Sequence, residues 1–311
     1  MKASEYGEQL SKLSCSPKKL CHENKEKDNR RCKIDTLGNF WILDDIACRI
    51  LKYNREGELV KIIGREGEGP GEFKWPQSID VDRKGNIYVC DLYNSRISIF
   101  DNRGNLSNSF ITLGGHACSR VRVDSVYNIF IVGIKSGVPT IVEPCIHKYT
   151  FDGKYLKSFY QPDKKAKEVR LLVPIYMDIG SNNHIYLIET TSYKLCELST
   201  DGKIIRKFGR KAPFYKPPYK RPTNMESEDW LTTWTGVSEI VVTNHNIFIS
   251  FGTHKPHKYT IEVYNIDGKF VSGNIQTNYR LLCADSHNYL YFLLNEESEH
   301  DKVIGKFSFT R

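Results

Sequence analysis

Residues 64–101 read GREGEGPGEFKWPQSIDVDRKGNIYVCDLYNSRISIFD, and this stretch decides the fold. A glycine-rich connection leads into three short apolar runs separated by tight turns. The run at 86–90, Asn-Ile-Tyr-Val-Cys, follows the turn Arg83-Lys84-Gly85 and precedes Ile97, Ile99 and Phe100. Val, Ile, Tyr and Phe suit a pleated, half-buried surface, and Gly, Asn and Asp punctuate it, so the runs read as strands.

The slot recurs as GNFWILD (38–44), YNIFIVG (127–133), NHIYLIE (183–189), HNIFISF (245–251) and HNYLYFL (287–293). The copies lie about 42–62 residues apart, the spacing of a four-stranded propeller blade with variable loops. A second mark follows in NREGELV (54–60), DNRGNLS (101–107), FDGKYLK (151–157), TDGKIIR (200–206) and IDGKFVS (266–272). Asp-Gly between β runs predicts a hairpin with a type I′ turn. Five such turns serve six slots, because the chain ends at GKFSFTR (305–311) before a sixth. A ring without an exposed edge then needs a strand from elsewhere. The spare chain before Lys33 predicts that part of residues 3–14 completes the last blade.

The expected fold is therefore all-β: a single-domain, six-bladed β-propeller of four-stranded antiparallel blades, closed by an N-terminal strand. Residues 1–32 form the closing strand and link. The blades run over about 33–76, 77–120, 121–174, 175–238, 239–279 and 280–311. Blades three and four carry the insertions, at 133–144, 161–170 and 209–236, and insertions in repeat folds map to loops on the functional face.

Stretch 67–101 resembles an NHL repeat, and the chain is similar to bacterial six-bladed β-propellers built from such repeats. The resemblance implies a central channel and shared terminal strands. It extends to protein-binding, RNA-binding and enzymatic members, so it leaves activity to the site. Asp91, Asn94 and Arg96 in CDLYNSRI match the family's D-x-x-N-x-R-I pattern, and Asp45 and Arg49 echo it in DDIACRI. Side-chain bonding across the turn is their expected role.

Composition bounds the partners. Lys and Arg number 45 against 37 Asp and Glu, a net charge of +8 that permits acidic partners without requiring them. No stretch approaches the roughly 18 apolar residues of a membrane helix. The N-terminus MKASEYGEQLSKLSCSPKK lacks a signal peptide's apolar core, so a cytoplasmic protein and an exported one that has lost its leader both remain expectations. Of nine cysteines, Cys90, Cys196 and Cys283 lie in or beside strand runs and are expected as buried, reduced thiols. Cys15, Cys21 and Cys32 match no zinc spacing and would staple the closing strand in an exported protein.

Asp35, Asp82, Asp124, Asp178 and Asp285 recur before the central strands and read as turn-formers that accept backbone N–H bonds. His184, His245 and His287 fall near that turn, and His254 and His257 make an incomplete zinc pair. Loop 210–221, RKAPFYKPPYKR, interleaves cations with aromatics. Its Arg210, Lys211, Phe214, Tyr215, Lys216, Tyr219, Lys220 and Arg221, with Trp230 and Trp234, form the candidate partner-binding loop.

No nucleophile elbow, zincin helix, P-loop or dinucleotide fingerprint is present. The expected function is a non-enzymatic binding or scaffold propeller, monomeric and without catalytic residues or cofactor, taking a protein, peptide or glycan on its inserted loops. One alternative is a metal-dependent hydrolase or lyase with calcium or zinc at the channel mouth. The other is an RNA-binding propeller.

Overall fold

The computed structural model describes residues 11–14, 31–134, 141–169, 175–226, 229, 230, 232–253, 258–294 and 301–309. Its strands form six four-stranded antiparallel sheets. Blade one is Arg31–Ile34, Phe40–Asp44, Arg49–Tyr53 and Leu59–Ile63. Blade two is Pro76–Val81, Ile87–Asp91, Arg96–Phe100 and Leu106–Ile111. The inner strands of the next four are Ala117–Val123, Ile175–Ile179, Thr235–Val242 and Arg280–Ala284. Each inner strand packs against the next, and the sixth returns to the first.

Burial falls from the axis outward, which explains the sequence pattern. The second strands of blades one, two and four are buried at every position, because a blade's middle is covered on both faces. They therefore read as continuous apolar runs rather than alternating ones. The outer strands Leu59–Ile63 and Leu106–Ile111 are largely exposed and give weaker signals. Each of the six interfaces between blades holds its own core. Trp41, Leu43 and Ile50 meet Phe73, Ile79 and Ile87 between blades one and two. Cys32, Phe40 and Tyr53 meet Leu282, Tyr291 and Leu293 between blades one and six. Each large side chain so buried contributes about 1.5–3 kcal/mol.

The turns correct one expectation. The hairpins after the third strands are not type I′. In blade two, Gly104 N–H donates to Asp101 O and Asp101 N–H to Asn105 O, both at 2.8 Å, and at the turn only Gly104 takes positive φ, 79°. Gly57, Gly153, Gly202 and Gly268 repeat this pattern. These are type I turns followed by a glycine bulge. The extra residue shifts the register beside the turn, as between Ile99 and Phe100.

Ring closure follows the expectation. Ser11–Ser14 pairs antiparallel with Asp301–Phe307, Leu13 opposite Lys302, and completes the sixth sheet. The expectation of reduced thiols fails at Cys90, which forms a disulfide with Cys118, Cα to Cα 5.8 Å. Blade packing sets the two positions side by side, one on blade two's second strand and one on blade three's inner strand. Cys196 and Cys283 are free and buried, as expected, and Cys32 is a free, buried thiol of blade one. Cys15 and Cys21 lie outside the described residues.

Deleting residues 1–14 should bare the edge of Asp301–Phe307 and lower the melting temperature by about 5–10 °C. Scanning calorimetry checks this; an unchanged transition would mean that closure does not depend on this strand.

Candidate functional site

Two regions bring functional side chains together: the channel, and the face that carries the connections between blades. In antiparallel sheets the turn after each second strand and the connection into each next blade lie at the same end. The insertions therefore share one face.

The channel is lined by alternate residues of the inner strands, which carry charges of both signs. Lys33 Nζ lies 3.2 Å from Asp80 Oδ1 and 3.2 Å from Asp178 Oδ1. Arg122 Nε donates to the same Asp178 oxygen at 2.8 Å, and its Nη2 lies 3.7 Å from Glu239. Arg31 Nη1 reaches the other Glu239 oxygen at 2.8 Å. The acids also stitch blades through the backbone. Asp80 Oδ2 accepts from Val123 N at 2.8 Å, and Asp178 Oδ2 from Val242 N at 2.9 Å. Burial opposes ionisation of Asp178, but Lys33 and Arg122 outweigh it and hold its carboxyl below the usual value. Arg120 stacks over Tyr176 at 4.3 Å. Burial, then the Arg31 charge, lowers it to about 10. A cavity of about 400 Å³ opens at one channel mouth, lined by Lys33, Asp80, Arg122, Asp178 and Asp285 among others.

Asp178 thus departs from the turn role expected of it. Asp35, Asp82, Asp124 and Asp285 do form the turns. Asp82, for instance, accepts from Lys84 N at 2.8 Å and Asn86 N at 2.9 Å, and the others repeat the geometry. Blade four places Gly180 in that slot, which leaves Asp178 two residues earlier, on the inner strand like Asp80.

Asp91, Asn94 and Arg96 act as a clamp on the glycine-rich loop. Arg96 donates to Glu68 O and Gly69 O, both at 2.9 Å, Asn94 to Gly67 O at 3.0 Å, and Asp91 accepts from Lys74 N at 2.8 Å. In blade one the counterpart is Asp44, 3.1 Å from Arg49, and not Asp45. Asp44 ends its strand as Asp91 does. His184 meets Glu197 at 2.7 Å, His245 and His287 are exposed, and His254 and His257 lie outside the described residues. Among the described residues no three His, Cys, Asp or Glu side chains converge as metal ligands would. None of the helices among these residues is long and apolar enough to cross a membrane.

The candidate loop divides into anchors and a free surface. Arg210 grips Glu262 through two bonds of 2.8 and 2.7 Å and lies 4.3 Å from the Phe270 ring. Glu262 is wholly buried and also accepts from Tyr193 at 2.7 Å. Phe214 and Tyr215 pack on Phe251, in the core between blades four and five. Trp230 and Trp234 are buried with Val169, the last residue of the short helix Lys164–Val169, so the two insertions meet. Trp230 Nε1 bonds Tyr219 O at 2.9 Å. Lys211, Lys216, Tyr219, Lys220 and Arg221 stay exposed.

Blade three holds a buried histidine that the sequence reading passed over. His147 bonds Ser158 Oγ at 2.6 Å and faces His116, ring to ring 6.4 Å. Burial, then His116, pushes its pKa from 6.5 down to about 4.

Residues 31–120 match the family described as 6-bladed beta-propeller. Human NHL repeat-containing protein 3 is 30% identical over 71 residues, 22% of this chain and 20% of that protein. Protein lin-41 of Caenorhabditis elegans is 48% identical over 42 residues, 14% of this chain and 4% of that protein. The match thus spans a fifth or less of either relative. Among solved structures, a Bacteroides vulgatus protein superposes with a TM-score of 0.65 at 11% identity, covering 97% of this chain and 99% of that one. A catalytically inactive virginiamycin B lyase from Staphylococcus aureus with quinupristin gives 0.58 at 15% identity, covering 97% and 89%. Such identities carry the fold alone.

Two outcomes test the site. Asp178→Ala should leave Lys33 and Arg122 short of a carboxylate and cost about 3–5 kcal/mol in urea unfolding; a cost under about 1 kcal/mol would mean that the channel pairs are dispensable. His147 sets a pH dependence. The unfolded histidine takes up its proton near 6.5, whereas the folded one resists until about 4. Its stabilisation is thus complete above pH 6.5 and is lost as pH falls to about 4. Melting temperatures measured across that window should decline less in His147→Phe than in the unmodified protein.

Strand order, repeat spacing and blade number together make this chain a six-bladed β-propeller, and residues 31–120 carry its match to the family of that description.

Proposed function

We propose that this chain is a non-enzymatic binding propeller whose connection face takes an acidic protein, peptide or glycan. The observation that carries the reading is the division within the 209–236 insertion. Arg210, Phe214, Tyr215, Trp230 and Trp234 are spent on holding the loop, while Lys211, Lys216, Lys220 and Arg221 stand exposed around Tyr219. A loop fixed from beneath loses little entropy on binding. Exposed cations draw an acidic partner and fix its register, and a Tyr and an Arg supply contact energy.

Single-stranded nucleic acid wants several aromatic platforms. Of the five aromatics named in this loop, Tyr219 alone is exposed, at 42%, which favours a protein, peptide or glycan over RNA. In the channel, the Lys33 ammonium already stands between Asp80 and Asp178, where a metal ion would need both carboxylates.

The test is a variant with Lys211→Ala, Lys216→Ala, Lys220→Ala and Arg221→Ala. Arrays of Asp- and Glu-rich peptides, heparin fragments and single-stranded RNA serve as probes. Binding of a peptide or glycan should weaken at least about tenfold, or 1.4 kcal/mol, with an unchanged melting temperature. Equal binding by the variant would refute the proposed face. Preference for RNA, with affinity falling steeply in salt, would instead support the RNA-binding reading.

A further inference from the structure

The existing disulfide shows a pattern. Cys90–Cys118 joins consecutive blades near the axis, and disulfides persist in oxidising compartments. A second sulfur pair occupies the interface where the ring closes on itself. Cys32 lies on blade one's inner strand and Cys283 on blade six's. Those strands are neighbours, and both residues are 2% exposed within one core beside Phe40, Tyr53 and Tyr291. Cys32 Sγ donates to Lys33 O at 3.8 Å, and its thiol lies near enough to Cys283 to help raise that group's pKa. Cys48 likewise donates to Asp45 O, and Cys196 meets Tyr160 Oη, both at 3.6 Å.

We propose that Cys32 and Cys283 form a second disulfide between blades, made by exchange with a glutathione or protein disulfide as the ring closes. One Cys thiolate attacks the donor disulfide and releases a thiolate; the second Cys thiolate then displaces the remaining donor sulfur. Two cysteine thiols and one donor disulfide become one protein disulfide and two donor thiols. The two protons pass to the departing thiolates, and the electron pair passes to the donor.

Location gives the bond its effect. Blades one to six are joined in turn by the chain, whereas among the described residues blade six meets blade one through packing and through strand Ser11–Ser14. A bond there encloses nearly the whole ring, and constraint on the unfolded chain grows with the loop closed. Burial, then Cys32, raises the Cys283 thiol well above its usual pKa. Thiolate is therefore scarce in the finished ring, which puts the exchange at the moment of closure, while the two thiols still reach water.

The test folds the full chain from the reduced state in a glutathione buffer containing both redox forms. It then digests the chain without reductant and maps the peptides by mass spectrometry. The expected result is the Cys32 peptide cross-linked to the Cys283 peptide. In a Cys90→Ala, Cys118→Ala background, dithiothreitol should lower the melting temperature by about 5–10 °C. Recovery of Cys32 and Cys283 as alkylated thiols, in molecules whose Cys90–Cys118 bond is closed, would overturn the proposal. The peptide map on the unmodified chain decides even if the double variant fails to fold.

Discussion

Every blade depends on its neighbours for burial, and this constraint governs the rest of the structure. A blade's sheet has two apolar faces, each covered only by the next blade. Trp41 and Phe73 close one such interface and Tyr53 and Tyr291 another. An open arc of blades would leave two apolar faces and two strand edges in water. Ring closure is therefore a condition of folding rather than a finishing detail. It is met by packing between the first and last inner strands, by the Lys33, Asp80, Arg122, Asp178 and Glu239 pairs across the axis, and by Ser11–Ser14 on the rim.

The fold was legible because doubly covered strands cannot hide. IYVCD and IYLIE are apolar throughout because both faces are buried. The count of turns against slots exposed the missing outer strand. Turn type was less legible. Asp-Gly is compatible with two hairpin geometries, and the choice between them rests on whether one or two residues take positive φ. The cysteines were legible only as small apolar residues. Whether two of them meet depends on which strands of different blades lie side by side, and Cys90 and Cys118 stand 28 residues apart.

The candidate site divides along the same line. A loop of mixed cations and aromatics stands out by composition, but composition does not separate anchors from exposed groups. Arg210 reads like Lys211, yet it holds the buried Glu262 while Lys211 faces water. The channel network left no local mark, because each member comes from a different stretch and reads as an ordinary strand residue. Asp178 shows the difficulty. Its distance from the following strand resembles that of the turn aspartates, and only a two-residue offset, set by Gly180, moves it into the axis.

The most direct measurement of ring closure is hydrogen exchange by mass spectrometry on the full chain under native conditions. A ring closed by its N-terminal strand predicts that amides in 11–14 and 301–307 are protected to the same degree as those of the outer strand Leu106–Ile111. Exchange of residues 11–14 at the rate of free chain, with the rest of the ring protected, would contradict it.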